Sequence, residues 1–208
     1  MDIKVNFSGR AIKYTEDEIA VVVEAMRNAE PLTQGKHLQA FQKAFGEYIG
    51  AEHCFAVMNG VSALELSAQL CNFKPGDEVV IPSHTFTASA YPYAKKGAKL
   101  VWADVDPVTH VVNAETIEKC ITPRTKAIVV VHLYGYVADM PAIMEVAKRH
   151  NVLVIEDAAQ SIGADLSTPM PLVALACGSK SHSSTRFPAA LTAAARLTQV
   201  VVLPTPPF

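Results

Sequence analysis

Val152-Leu-Val-Ile-Glu-Asp-Ala-Ala-Gln-Ser161 is an apolar run that stops on two carboxylates, Glu156 and Asp157, with Gln160 close behind. Four aliphatic residues in succession read as a strand buried on both faces, the pattern of a parallel sheet covered by helices. Ligands of such sheets sit beyond the carboxyl ends of the strands. An acid at that position is therefore set where a bound group would meet it, and Asp157 is the first residue a functional reading has to explain.

Working outward, four more apolar runs precede this one: Cys54 to Met58, Glu78 to Ile81, Leu100 to Ala103 and Ala127 to Val131. Helix-like segments separate them, one from about Ser62 to Cys71 and one from Asp139, an N-cap with Pro141 in the first turn, to Arg149. This alternation predicts an α/β fold with a mostly parallel sheet in a three-layer arrangement. Upstream, Thr15-Glu-Asp-Glu18 is a capping box ahead of Ile19, Val22, Val23 and Met26, and a second helix fits Leu38, Phe41, Phe45 and Ile49. Lys74-Pro-Gly-Asp77 is a turn.

Composition narrows the class. Half of the 208 residues are hydrophobic, enough for a substantial core, and the net charge of −2 gives no global bias toward nucleic acid or an anionic membrane. The amino terminus lacks the basic-then-apolar layout of a signal peptide, and no apolar run reaches about 18 residues, so a soluble cytoplasmic protein is expected. Cys54, Cys71, Cys120 and Cys177 stand far apart without CxxC pairing, which predicts reduced thiols rather than a zinc site or disulfide framework.

The composition breaks after Asp165: all 20 acidic residues lie in positions 1–165, and the following 43 positions hold none. Residues 166–208 are rich in Ala, Ser, Thr, Pro, Leu and Val and do not continue the βα rhythm, although Gln199 to Leu203 could form a strand. The break reads as a shift of reading frame near residue 166, because a selected sequence agrees locally with its fold. A natural disordered extension is the alternative, and such segments are usually more polar.

Three strand ends besides Asp157 carry chemistry-bearing residues. Asn59-Gly-Val-Ser-Ala-Leu64 follows a strand and opens a helix: glycine allows close backbone approach, free N–H groups at the helix start point at an anion, and Ser62 adds a hydroxyl. The same turn also serves plain turn chemistry. Pro82-Ser-His-Thr-Phe-Thr87 offers Phe86 to stack on a flat ring, with Ser83, His84 and Thr85 as polar edges; an ordinary core aromatic is the plainer reading. In Val131-His-Leu-Tyr-Gly135, His132 reads as a hydrogen-bonded strand-end histidine in preference to a ligand-facing one. Beside them, Asp157 could hold Mg2+ in a P-loop ATPase, but the required GxxxxGK[ST] is missing, with Glu30 where Gly35-Lys36 would need the first glycine. Glu156 and Asp157 could join a divalent metal site, yet no further acid or histidine cluster supplies ligand spacing. A phosphate-binding turn, a stacking aromatic and a strand-end carboxylate together suit pyridoxal 5'-phosphate, whose protonated pyridine nitrogen would donate a charge-assisted hydrogen bond to the Asp.

With these motifs in order, residues from about Asn6 to Ala164 resemble the DegT/DnrJ/EryC1/StrS family of sugar aminotransferases, fold type I pyridoxal-phosphate enzymes. The most specific pieces are Leu32-Thr-Gln-Gly35, Asn59-Gly-Val-Ser-Ala-Leu64, Pro82-Ser-His-Thr-Phe86, Val131-His-Leu-Tyr-Gly135 and Glu156-Asp-Ala-Ala-Gln-Ser161. The resemblance implies that residues 1–165 are the N-terminal part of the large domain. It also implies that Gly60, Val61 and Ser62 hold the cofactor phosphate, that Phe86 stacks on the ring, and that Asp157 pairs with the pyridine nitrogen while Gln160 lies near the phenolic oxygen. Where this chain has Val61 the family often has Thr, so one side-chain donor is lost. The implied reaction moves an amino group from glutamate to a keto group on a nucleotide-linked sugar, in a homodimer whose sites are completed by both subunits.

The chain departs from the pattern downstream. The family's Schiff-base lysine sits in a Ser-x-His-x-x-Lys stretch, and the nearest equivalent here is Ser181-His-Ser-Ser-Thr-Arg186. Arg186 stays protonated and cannot form the Schiff base. Lys180 is the only lysine after Asp157, in surroundings that fit poorly, and His182 would suit the dehydrating relatives that use histidine. The family's small C-terminal domain has no counterpart here. The expectation is thus a truncated, inactive form with no catalytic residue assigned. The rivals are a non-catalytic, cofactor-binding regulatory relative and a metal- or nucleotide-binding α/β domain.

Overall fold

The computed structural model describes residues 14–31, 33–161 and 199–202. The readings of a frame shift or extension over 166–198 and 203–208, and of Lys180, His182 and Arg186, lie outside the described residues.

Two helices lead. Helix α1 (Glu16–Asn28) starts at the capping box: Glu18 N–H donates to the Thr15 hydroxyl, and Thr15 N–H donates to the Glu18 carboxylate at 2.7 Å. Helix α2 (Lys36–Ile49) buries Phe41 and Phe45 on one face and stops at Gly50, whose φ of 70° is the left-handed conformation that ends helices. After them come β1 (Cys54–Val57), α3 (Gly60–Leu70), β2 (Glu78–Pro82), α4 (Tyr91–Lys95), β3 (Lys99–Ala103), α5 (Ala114–Glu118), β4 (Thr125–Val131), α6 (Met140–His150) and β5 (Leu153–Asp157). A last strand, β6, spans Gln199–Val202.

The main sheet has the order β3-β2-β4-β5, with every neighbouring pair parallel. β2 is buried throughout and β4 over its last five residues, so these two strands form the middle of the core. Parallel crossovers are right-handed. The step from β2 to β3 runs one way along the sheet and the steps β3 to β4 to β5 run the other. α4 therefore covers one face and α5 and α6 the opposite one, giving the three-layer α/β architecture. The reversal creates a switch point between β2 and β4, where a crevice opens at the carboxyl ends.

Two expectations change. β1 does not join the parallel sheet: it pairs antiparallel with β6, Cys54 opposite Val202 and Val57 opposite Gln199. β5 is not buried on both faces. Among the described residues it pairs only with β4, and Leu153 is 48% exposed. Its apolar sequence is that of a covered strand, but among the described residues it lies at the sheet's edge, and edge position, which residue type does not encode, goes with the exposure.

Opposite the crevice, at the amino ends of the strands, Glu78 is buried at 1% exposure. Its carboxylate accepts from Thr122 Oγ1 at 2.6 Å, Arg124 Nη2 at 2.8 Å and Lys99 Nζ at 3.1 Å. One side chain thus ties the starts of β2 and β3 to the loop entering β4.

Candidate cofactor site

The switch-point crevice holds a solvent-open cavity of about 240 Å³. The start of α3 contributes Asn59, Gly60, Val61 and Leu64; the segment after β2 contributes Phe86, Ala88 and Ser89; β4 and its turn contribute Val131 and Leu133; the end of β5 contributes Asp157, Ala159 and Gln160. Of the six residues singled out in the sequence, Gly60, Val61, Phe86, Asp157 and Gln160 line this one cavity. Ser62 does not. Its N–H and its hydroxyl both go to the Asn59 carboxamide oxygen, at 2.9 and 3.1 Å, because Asn59 is the N-cap of α3. The N–H groups of Gly60 and Val61 precede the first intrahelical bond and have no acceptor among the described residues, so they stay available to an anion.

Strand alternation sorts the carboxylates. Val131 pairs in register with Asp157, and Val130 with Glu156. Successive side chains point to opposite faces, so Asp157 and Val131 face the cavity while Glu156 and His132 share the other face. There His132 Nε2 lies 3.1 Å from the Glu156 carboxylate, and its Nδ1 accepts from Ala138 N–H at 3.2 Å. The proton is therefore on Nε2, donated to Glu156. His132 is only 4% exposed and has both nitrogens occupied: it is a staple between β5 and the loop leading to α6, not a ligand-facing group. The Glu156–Asp157 pair is likewise split and does not present two carboxylates to one ion. Replacing His132 with leucine would strand the buried Ala138 N–H, so urea unfolding should show a loss of about 1–3 kcal/mol. An unchanged midpoint would contradict the staple.

The acid and the amide are each held by named donors. Asp157 Oδ2 accepts from the Ser89 hydroxyl at 2.7 Å, and Oδ1 from Ala159 N–H at 3.3 Å. Ser89 was not singled out in the sequence, where it is one of two hydroxyls, with Thr87, in the run Phe86-Thr-Ala-Ser-Ala90. Gln160 Oε1 accepts from Tyr134 N–H at 2.7 Å. That bond fixes the amide's orientation and leaves its NH2 as a donor. Tyr134 has a φ of 57°, a left-handed backbone rarely adopted outside glycine, and this turn is what aims its N–H at Gln160. Phe86 is 71% exposed at the cavity wall, an apolar face without cover among the described residues. Behind the site, burial pushes the Tyr93 phenol well above its ordinary range, with the nearby Asp157 charge among the lesser causes. Tyr93 stays protonated and lies 2.8 Å from Ser67 Oγ, which donates onward to Leu64 C=O.

The residues present fit a flat, phosphorylated pyridine: free N–H groups at a helix start for the phosphate, an aromatic wall for the ring, a carboxylate for a protonated nitrogen, and an amide donor for a phenolic oxygen. No lysine lines the cavity among the described residues.

Comparison with known proteins gives the same direction. The model of the DegT/DnrJ/EryC1/StrS aminotransferase family matches residues 13–171. GDP-perosamine synthase of Caulobacter vibrioides is 48% identical over 143 residues, which are 69% of this chain and 38% of that protein. The pleiotropic regulatory protein of Geobacillus stearothermophilus is 41% identical over 147 residues, 71% of this chain and 40% of that one. Among solved structures, NtdA of Bacillus subtilis with bound cofactor PMP superposes with a TM-score of 0.67 at 33% identity, over 72% of this chain and 35% of that chain. The chain thus spans about two fifths of the length of the relatives it matches.

Proposed function

This chain belongs to the DegT/DnrJ/EryC1/StrS aminotransferase family, and on that premise we propose that its crevice holds pyridoxal 5'-phosphate and serves the transfer of an amino group, from glutamate, to a keto group on a nucleotide-linked sugar. The observation that carries the proposal is the convergence on one cavity of Asp157, Gln160, Phe86 and the free N–H groups of Gly60 and Val61. When bound, the cofactor supplies an electron sink for the carbon from which the amino group leaves.

The chain's own residues have separate tasks. Asp157 accepts the ring N–H and holds that proton in place. The Gln160 amide donates to the phenolic oxygen. Gly60 and Val61 receive the phosphate, while Ser62 contributes only by sharing its hydroxyl away from Asn59. Phe86 covers one ring face, and Val131 and Leu133 keep water from the other side of the pocket. The setting proposed is a homodimer in the cytoplasm; no helix among the described residues is long and apolar enough to cross a membrane.

A second reading, a cofactor-binding regulatory relative without turnover, is favoured by Arg186 at the position where the resemblance places a lysine, and one relative at 41% identity is named a regulatory protein. Titration of the chain with pyridoxal 5'-phosphate, followed by absorbance before and after glutamate is added, separates the readings. Binding followed by a glutamate-dependent spectral change supports the aminotransferase. Binding without that change favours a chain that holds the cofactor without turnover, the regulatory relative or an inactive aminotransferase, and retained binding to an active partner subunit marks the former. No binding, with stabilisation by Mg2+ and ATP instead, sinks both.

A further inference from the structure

We propose that Ser89 is the positioning residue that aims the Asp157 carboxylate at the cofactor's ring nitrogen, with Thr85 locking the Ser89 hydroxyl in the required direction. The inference rests on the cofactor reading above and assigns it a device of its own.

A serine hydroxyl has one proton to give. Ser89 Oγ accepts from Thr85 Oγ1 at 3.0 Å, and its own proton goes to Asp157 Oδ2 at 2.7 Å. The chain Thr85 to Ser89 to Asp157 therefore runs one way and ends on the acid. Ser89 is 1% exposed, so no water competes for that proton from outside.

The geometry explains why the acid needs such a partner. The terminal torsion of an aspartate is broad and roughly two-fold, so a carboxylate at a strand end does not choose its plane by itself. Here separate donors take its two oxygens: Ser89 holds Oδ2, and Ala159 N–H holds Oδ1 at 3.3 Å. With the plane fixed, the remaining lone pairs have a set direction at the cavity wall. The Ser89 bond is the shorter of the two, and it is the only one that comes from a different strand connection.

That origin matters. Ser89 lies three residues after Phe86 in the same tight turn, its N–H bonded to Phe86 C=O at 2.9 Å. The ring's stacking wall and the holder of its acid are thus one rigid piece following β2, clamped onto the end of β5 across 68 residues of sequence. The segment sets the aromatic face and the acid's plane together.

The test uses the whole chain, pyridoxal 5'-phosphate labelled with 15N in the ring, and four variants: Ser89→Ala, Ser89→Thr, Thr85→Val and Asp157→Asn. The ring-nitrogen resonance reports protonation, which a merely structural role for Ser89 would leave alone. With Ser89→Ala the resonance should move toward the unprotonated position, and cofactor affinity should fall on the order of tenfold. Ser89→Thr, which keeps the hydroxyl, should restore both. Thr85→Val, which frees the serine proton to rotate, should shift the resonance partway. If Asp157→Asn shifts the resonance and Ser89→Ala does not, the positioning role is wrong while the cofactor reading stands. If Asp157→Asn also leaves resonance and affinity unchanged, or the chain binds no cofactor, both fall. Should Ser89→Ala lose its unfolding transition, Thr85→Val decides, and an unshifted resonance there overturns the proposal.

Discussion

Replacing Glu78 with alanine is expected to cost the fold about 2–4 kcal/mol at neutral pH, read from urea or thermal unfolding. The carboxylate is covered, yet its partners Lys99 and Arg124 are 66% and 60% exposed. They can rehydrate when the acid is removed, which keeps the cost below that of a fully buried pair. Much of the loss comes from the Thr122 hydroxyl and from the clamp between the starts of β2, β3 and β4. The same carboxyl gives a pH signature. Donation by Thr122 and Arg124 to its ionised form holds it at about 2, against an ordinary 4.5. A group depressed in the folded state stabilises above its unfolded value, and that stabilisation is lost as pH falls through the folded value. The contribution is therefore present above 4.5, declines below it and is exhausted near 2. Glu78→Gln, which has no such proton to take up, should lose stability less steeply over this acid window than the parent chain. Parallel acid slopes for the two proteins would show that Glu78 does not carry this linkage.

Asp157→Ala is expected to weaken pyridoxal 5'-phosphate binding by on the order of 10- to 100-fold, the equivalent of one charge-assisted hydrogen bond. The measurement is equilibrium binding by absorbance or fluorescence quenching, with unfolding followed alongside. Asp157 is partly exposed at a strand end. Its removal leaves the Ser89 hydroxyl facing a cavity that water can enter, so stability should change far less than affinity. Glu156→Ala is the internal control. Glu156 is the neighbour of Asp157 in sequence but points to the opposite face, toward His132, and its loss should leave affinity within about twofold, since it makes no contact with the cavity. Equal losses for the two acids would mean that binding follows general charge and not the strand-end geometry.

These two carboxylates show what can be read from local pattern. Asp157 was legible because an apolar run, its end and the parallel-sheet rule are all local facts. The capping box at Thr15 and Glu18, the Asp139 cap of α6, and the turn at Lys74 to Asp77 were legible for the same reason, since each closes within three residues. Glu78 gave no such signal: its partners Thr122 and Arg124 lie 44 and 46 residues away, and they meet only because β2 and β4 are neighbours. Ser62 shows what a local reading leaves out. Its donors were expected to face a phosphate, yet Asn59, three residues back, takes both.

By itself the sequence determined to within two residues where the strands stop, and which side chains stand near their ends, because residue type and period act over a few positions and need no knowledge of neighbours. The tertiary structure alone decided which of those ends meet. The order β3-β2-β4-β5 sets the ends of β2, β4 and β5 side by side around one cavity and, among the described residues, leaves β5 at an edge despite its apolar sequence, while β1 pairs with β6 in a separate sheet. Register then sends Asp157 toward that cavity and Glu156 away from it. Pairing order and register are long-range properties, fixed by how whole faces pack. For that reason the bond from Ser89 to Asp157 became visible only once the chain was folded.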